Sequence, residues 1–417
     1  MDAKRIVEIG GREATLLSGD NIRVVVSDKG GMVPELSFPS RKGWFNTHWN
    51  PHFRSNSGQP FDPARDESFW SAELLYELAG NFPCLPSFGN PCSAYGVQLA
   101  AHGTTANAKW RPEKWGLLEH MAFAKSTIEP RASSLHLAYT KYDIVESDHP
   151  GLYTYLTVRN TGERRLRINL GWHNTVGPPF LAPGCLIDVS ADRFATTPTP
   201  TDFESSGMLE PGARFDSLEK APLAGGGMAE IRRVPGIIGH TDFVTGAVPN
   251  DSDLGWSSVV NPAIGAVYLT LFPGPGTSRA DEIPIYFNDL WMQYGGRDYP
   301  PWASYVGGAD STFCLGTENA TGAFANGLGY SLEHPELLGW PTTFELSPGA
   351  EAANVYATFA LRYDDRVLDQ GVSKLTGSHA TIEVEPRGGN RSAPFSFTGD
   401  PSFESLRKRV ALIEKET

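Results

Sequence analysis

Basic residues are in the minority: 35 Lys and Arg stand against 48 Asp and Glu among 417 residues, a formal net charge of −13. Nucleic-acid backbones and anionic membrane surfaces are held by clustered positive charge, and the chain offers no basic stripe. Neither partner is expected. Long apolar runs are missing too. No stretch approaches the roughly 20 residues of a membrane-spanning helix, and the opening MDAKRIVEIGGREATLLSGD holds no apolar core of an export signal. Cysteine is scarce. Cys84, Cys92, Cys185 and Cys314 form no CxxC pair and no Cys/His cluster at zinc spacing. A disulfide scaffold is therefore excluded, and a reducing, cytoplasmic setting is expected. The phosphate-cradling and catalytic signatures GxxxxGK[ST], GxSxG and HExxH are also missing, as is a GxGxxG between strand and helix. His48 and His52 have the spacing of a zinc helix, but Pro51 between them opposes a helix, so no metal is expected.

Helical periodicity is rare as well. It is confined to 68–78 (SFWSAELLYEL) and to a charged segment at 403–415 (FESLRKRVALIEK). What fills the chain instead is aromatic residues, 22 Phe, 14 Tyr and 10 Trp, set among 44 Gly and 32 Pro. Short alternating runs between Gly, Pro, Asn and Asp punctuation read as strands. They include 21–27 (NIRVVVS), 134–139 (SLHLAY), 153–159 (YTYLTVR), 166–171 (LRINLG), 266–272 (AVYLTLF), 353–363 (ANVYATFALRY) and 381–385 (TIEVE). Strands in series without intervening helices predict an all-β fold: a large antiparallel, twisted β-sandwich with a few short helices. No linker or repeat divides it. Residues 1–417 are expected to form a single domain, its core at about residues 20–390 and a C-terminal helix at about 403–415.

Residues able to carry chemistry are dispersed among Gly-rich and aromatic turns. His102 stands in AAHGTTANAKW, His173 and Asn174 in NLGWHNTVGPPF, His240 and Asp242 in GIIGHTDFV, and Glu318 in FCLGTENATG. Polar groups beside Trp and Phe at strand ends suit a carbohydrate cleft, where rings cover the apolar sugar face and short side chains meet its hydroxyls. Phe313, Cys314 and Leu315 before Glu318 imply partial burial, which raises a carboxylate's pKa toward that of a general base. Each histidine also reads as a hydrogen-bonded structural residue, Glu318 as a solvated loop carboxylate, and the Gly-rich turns as plain hairpins.

Taken together, these segments resemble the aldose 1-epimerase (galactose mutarotase) superfamily of β-sandwich proteins over about residues 20–363. The resemblance rests on DKGGMVPEL at 28–36, on NFPCLPSFGNPC at 81–92 leading into His102-Gly103, on Trp110, His173-Asn174 and HTDF at 240–243, on FCLGTE at 313–318, and on Pro348-Gly349. It implies an isomerase that opens and recloses the ring of a small-molecule sugar, with no cofactor. Glu318 would be the base, His173 the acid and His102 a third catalytic residue near the ring oxygen. Asp242, His240, Asn174, Asn90 and Trp110 would bind substrate. Acid and base are expected to flank one sugar edge, about 5–8 Å apart. Three departures stand out. Phe88-Gly89-Asn90-Pro91 lacks the arginine usual before His-Gly, Thr104-Thr105-Ala106 lacks the arginine of phosphate-binding members, and Glu318 follows Thr317 rather than preceding it. A neutral sugar is the expected substrate. The alternatives are a non-catalytic carbohydrate-binding protein on the same fold, or another sugar isomerase or lyase.

Overall fold

Burial along individual strands shows how the layers are stacked. Arg111–Leu118 alternates exposed and partly covered residues, as an edge strand does. Ala266–Pro273 and Glu351–Arg362 are instead buried on nearly every residue, which requires cover on both faces of their sheet. The computed structural model describes residues 1–203, 207–303, 311–378, 380–388 and 394–416.

Two eight-stranded antiparallel sheets form the body. The first runs from edge to edge as Leu186–Val189, Leu254–Asn261, Ala266–Pro273, Glu351–Arg362, Gly151–Asn160, Leu137–Glu146, Met121–Ile128 and Arg111–Leu118. The second runs as Arg214–Phe215, Arg193–Thr196, His240–Ala247, Phe287–Tyr294, Phe313–Ala320, Gly171–Trp172 and Pro83–Cys84, with Thr175–Val176 also pairing with Phe313–Ala320. Their facing surfaces share one apolar cluster, in which Ala122, Val145, Val259 and Tyr268 meet Val244, Leu290, Met292 and Leu315. A five-stranded meander from Asp2–Val7 to Gly43–Asn46 adds Leu17, Val24 and Leu36 to that cluster. This is the sandwich expected from the strand pattern.

A third layer covers the outer face of the first sheet. Phe123, Ile144, Leu269 and Phe359 pack against Leu375, Ile382 and Val384 of a three-stranded sheet (Val372–Ser378, Thr381–Pro386, Phe395–Thr398). Leu406, Val410 and Ile413 of helix Glu404–Lys415 complete the cover, at the place where the 403–415 periodicity put a helix.

Three expectations are corrected in detail. The helix read at 68–78 is two pieces, Pro63–Trp70 and Glu73–Glu77. Asp62 caps the first through Ala64 N at 3.0 Å, and Ser71 at φ 59° ends it, its N–H donating to Glu67 O. The 166–171 run divides between sheets: Leu166–Ile168 pairs with Phe344–Leu346, whereas Gly171–Trp172 joins the second sheet. Finally, Glu318 lies within strand Phe313–Ala320, which pairs along its whole length with Phe287–Tyr294. Gly316 and Thr317 break the apolar run in the sequence without breaking the ladder.

Candidate active site

Glu318 is carried near the middle of the second sheet, opposite Asp289, which in turn faces Thr245 on the next strand. Gly316 precedes it on the same face. A Cβ at Gly316 would come within 2.9 Å of Glu318 Oε1 and of Trp291 Cβ, so the missing methyl lets the carboxyl lie along the strand. There Oε1 stands 3.3 Å from His173 Nε2. His173 follows the short strand Gly171–Trp172 and is fixed by its own amide, which donates to Phe82 O at 2.9 Å. The Phe82 ring stacks on the imidazole at 4.6 Å, and Trp291 meets its edge at 5.3 Å.

His102 meets His173 edge to face, with ring centroids 4.9 Å apart. The Gly89 amide donates to His102 Nδ1 at 3.3 Å, which leaves the ring proton on Nε2. Gly89 must be glycine: its φ is +100°, and a Cβ would strike the Ala325 carbonyl oxygen at 1.5 Å. His102, His173, Glu318 and Asn90 open into one cleft of about 580 Å³, walled by Trp291, Trp302, Phe203, Phe243 and Leu74. A larger groove of about 950 Å³ under the C-terminal layer holds none of these histidines. Its Arg279 and Arg407 are engaged by Glu404 and Glu282.

No established protein family and no curated protein matches the sequence. Solved structures do match. A protein of Klebsiella pneumoniae, described as a candidate aldose 1-epimerase, superposes with a TM-score of 0.61 at 13% identity over 85% of this chain and 81% of its own. A galactose mutarotase-like protein of Clostridium acetobutylicum gives 0.56 at 13% identity, covering 87% and 99%. A candidate aldose 1-epimerase of Escherichia coli K12 gives 0.52 at 17% identity, covering 84% and 98%. The chain has the galactose mutarotase-like fold.

On this mutarotase-like sandwich, four of the residues singled out from the sequence fall outside the cleft. Asn174 points the opposite way from its neighbour His173, into the space between the sheets, where it bonds the hydroxyls of Tyr356 and Tyr268. Trp110 is buried at 1% exposure and donates its indole N–H to Thr105 O at 3.0 Å. Asp242 accepts the Met208 and Leu209 amides at 2.8 and 3.1 Å and pairs with His240 at 2.5 Å. Asp242 borders only a small neighbouring hollow of about 120 Å³. The expected gap of a sugar edge between His173 and Glu318 is corrected as well, because the two touch.

Three groups in the site were not read from the sequence. Asp289 is fully buried beside Glu318, and neither of its oxygens hydrogen-bonds a described residue. Trp291 reaches from His173 to Trp302. Arg297 brings a guanidinium to the cleft from a segment, GGRDYPPW, whose only signal was a charge among glycines and rings.

Burial dominates the electrostatics. It drives the Glu318 carboxyl well above its ordinary range, helped by the nearby Asp289 carboxyl. It drives His173 well below its ordinary range, helped by His102, and lowers His102 to about 4. Asp289 is pushed up to about 8 by the same desolvation. Burial thus favours the uncharged form of both touching groups, which places the shared proton on the Glu318 carboxyl.

Proposed function

We propose that the chain interconverts the anomers of an aldose bound in this cleft. The observation that carries the reading is the 3.3 Å contact between His173 Nε2 and Glu318 Oε1 on the cleft wall. The C1 hydroxyl oxygen and the ring oxygen are bonded to the same carbon, so an acid and a base in mutual contact reach both from one side. His173 Nε2 takes the C1 hydroxyl proton while the Glu318 carboxyl gives its proton to the ring oxygen, the reverse of the roles the family resemblance implies, because burial favours a protonated Glu318 and a neutral His173. The C1–ring oxygen bond breaks and a C1 carbonyl forms. After rotation about C1–C2, the new hydroxyl adds to the other carbonyl face. Its proton returns to Glu318, and His173 protonates the carbonyl oxygen. Both groups are regenerated. His102 Nε2–H donates to a sugar oxygen beside C1, and the Trp and Phe walls cover the sugar's apolar face.

The test is anomer exchange followed by NMR on a panel of aldoses. Wild-type protein should exceed the buffer rate. Glu318→Gln and His173→Asn should keep binding and lose roughly 10²–10⁴ of the acceleration, the range of a general acid–base contribution. A wild-type protein that binds a sugar but leaves its exchange at the buffer rate would sink the proposal in favour of a binding-only role.

A further inference from the structure

Arg297 is a charged group of the cleft that the ring-opening chemistry does not use. Its guanidinium carbon lies 4.5 Å from the Trp302 ring centroid and 5.6 Å from that of Phe203. Its Nε is buried and hydrogen-bonds no described residue, and no described carboxylate forms an ion pair with it. Asp202 and Tyr299 border the same cleft, but Tyr299, Asp202 and Cys314 offset only part of the burial that works against its charge. A guanidinium partly drawn out of water with no described carboxylate paired to it is unfavourable by itself, and an oxyanion that fills its planar fork reduces the penalty.

We propose that Arg297 binds a carboxylate on the sugar, so that the cleft takes acidic sugars of the hexuronate class. The proposal rests on reading the cleft as a sugar site. Two observations favour a carboxylate over other anions. Arg297 is the only Lys or Arg among the described lining residues, so it balances a single negative charge. With Asp202 bordering the same cleft, a carboxylate adds one negative charge and a phosphate dianion adds two, so the carboxylate is the less opposed. The second observation is position. Trp291 meets His173 at 5.3 Å and Trp302 at 5.9 Å, and the Arg297 guanidinium packs on Trp302 at 4.5 Å while forming no ion pair with Glu318. The anion it holds therefore lies apart from the acid–base pair, as the carboxylate that a hexuronate carries on C5 lies apart from C1. The neutral sugar expected from the sequence gives way to this reading.

The experiment is calorimetric titration of folded wild type, Arg297→Met and Arg297→Lys with galacturonate and glucuronate, the matching neutral hexoses and the hexose 6-phosphates. Anomer exchange is measured in parallel. Wild type should bind at least one hexuronate tenfold or more tighter than its hexose. In Arg297→Met that ratio should collapse toward one, and in Arg297→Lys it should fall in between. The proposal is overturned if wild type shows no such preference or binds no hexuronate, or if Arg297→Met keeps the ratio. Tighter binding of the phosphates than of the hexuronates overturns the carboxylate assignment. Arg297-dependent hexuronate binding without accelerated exchange leaves this proposal standing and removes the catalytic one. Accelerated exchange of neutral hexoses with no hexuronate preference does the reverse.

Discussion

Gly316 is the residue on which the geometry of the pair turns. Because a Cβ there would come within 2.9 Å of Glu318 Oε1, Gly316→Ala should lift the carboxyl away from His173. Exchange activity should fall at least tenfold, while stability should fall by about 1–3 kcal/mol, because the same methyl in a buried strand meets the Trp291 Cβ at 2.9 Å. Anomer-exchange rates beside denaturant titration would separate the two effects. Asp289 makes an opposite kind of prediction. Its native pKa of about 8 lies above its ordinary 3.8, so the folded state binds the extra proton and loses stability as pH rises from 4 to 8. Asp289→Asn does not titrate, and its stability relative to wild type should climb across that window by up to about 5 kcal/mol. Equal gains at pH 5 and pH 8 would refute the buried-acid reading. Exchange activity should decline toward pH 4 as His102 gains charge, and should decline as rising pH takes the shared proton from Glu318, which burial moves above the ordinary carboxylate range. At this scale the sequence revealed residue type better than direction. His102, His173 and Glu318 were legible as polar groups in aromatic surroundings, and one cleft takes all three. Nothing in one dimension tells that Asn174 turns inward beside His173, or that Asp242 is occupied by the amides of Met208 and Leu209.

Elements were more legible than residues, because alternation and punctuation are local. The strands around 153–159, 266–272 and 353–363 appear as Gly151–Asn160, Ala266–Pro273 and Glu351–Arg362. The failures lie where tertiary contacts override local pattern. Trp70 donates its indole N–H to Phe53 O at 2.8 Å, next to the Ser71 break that divides the expected helix. Strand Phe313–Ala320 survives its own Gly and Thr because it is paired on both sides. Helix Glu404–Lys415 was read from three- and four-residue spacing, and its packing shows what it does for the sheet below. Leu406 is 2% exposed and Ile413 0%. Leu406→Ala should cost about 2–4 kcal/mol, read as a lower denaturation midpoint, since it opens a cavity over the first sheet. Lys408→Ala on the same helix should change little.

The whole molecule is three layers thick over the first sheet, and the cleft lies on the second. That separation predicts that damage to the outer layer lowers stability without altering the substrate ratio set by Arg297. Leu406→Ala, measured for both, is the check. Because the apolar cluster between the sheets takes residues from 17 to 360 without a break between halves, we propose that the chain unfolds as one unit. Fluorescence and circular dichroism should then report coincident transitions, and two resolved transitions would argue for separate domains. The layering also has a consequence in time. Strands from Arg111–Leu118 to Glu351–Arg362 are made before the residues at 372–416 that shelter their outer face. A nascent chain emerging from the ribosome therefore carries a finished sheet with Phe123, Ile144 and Phe359 still bare, so the interval before those residues arrive is when chaperones have most to hold.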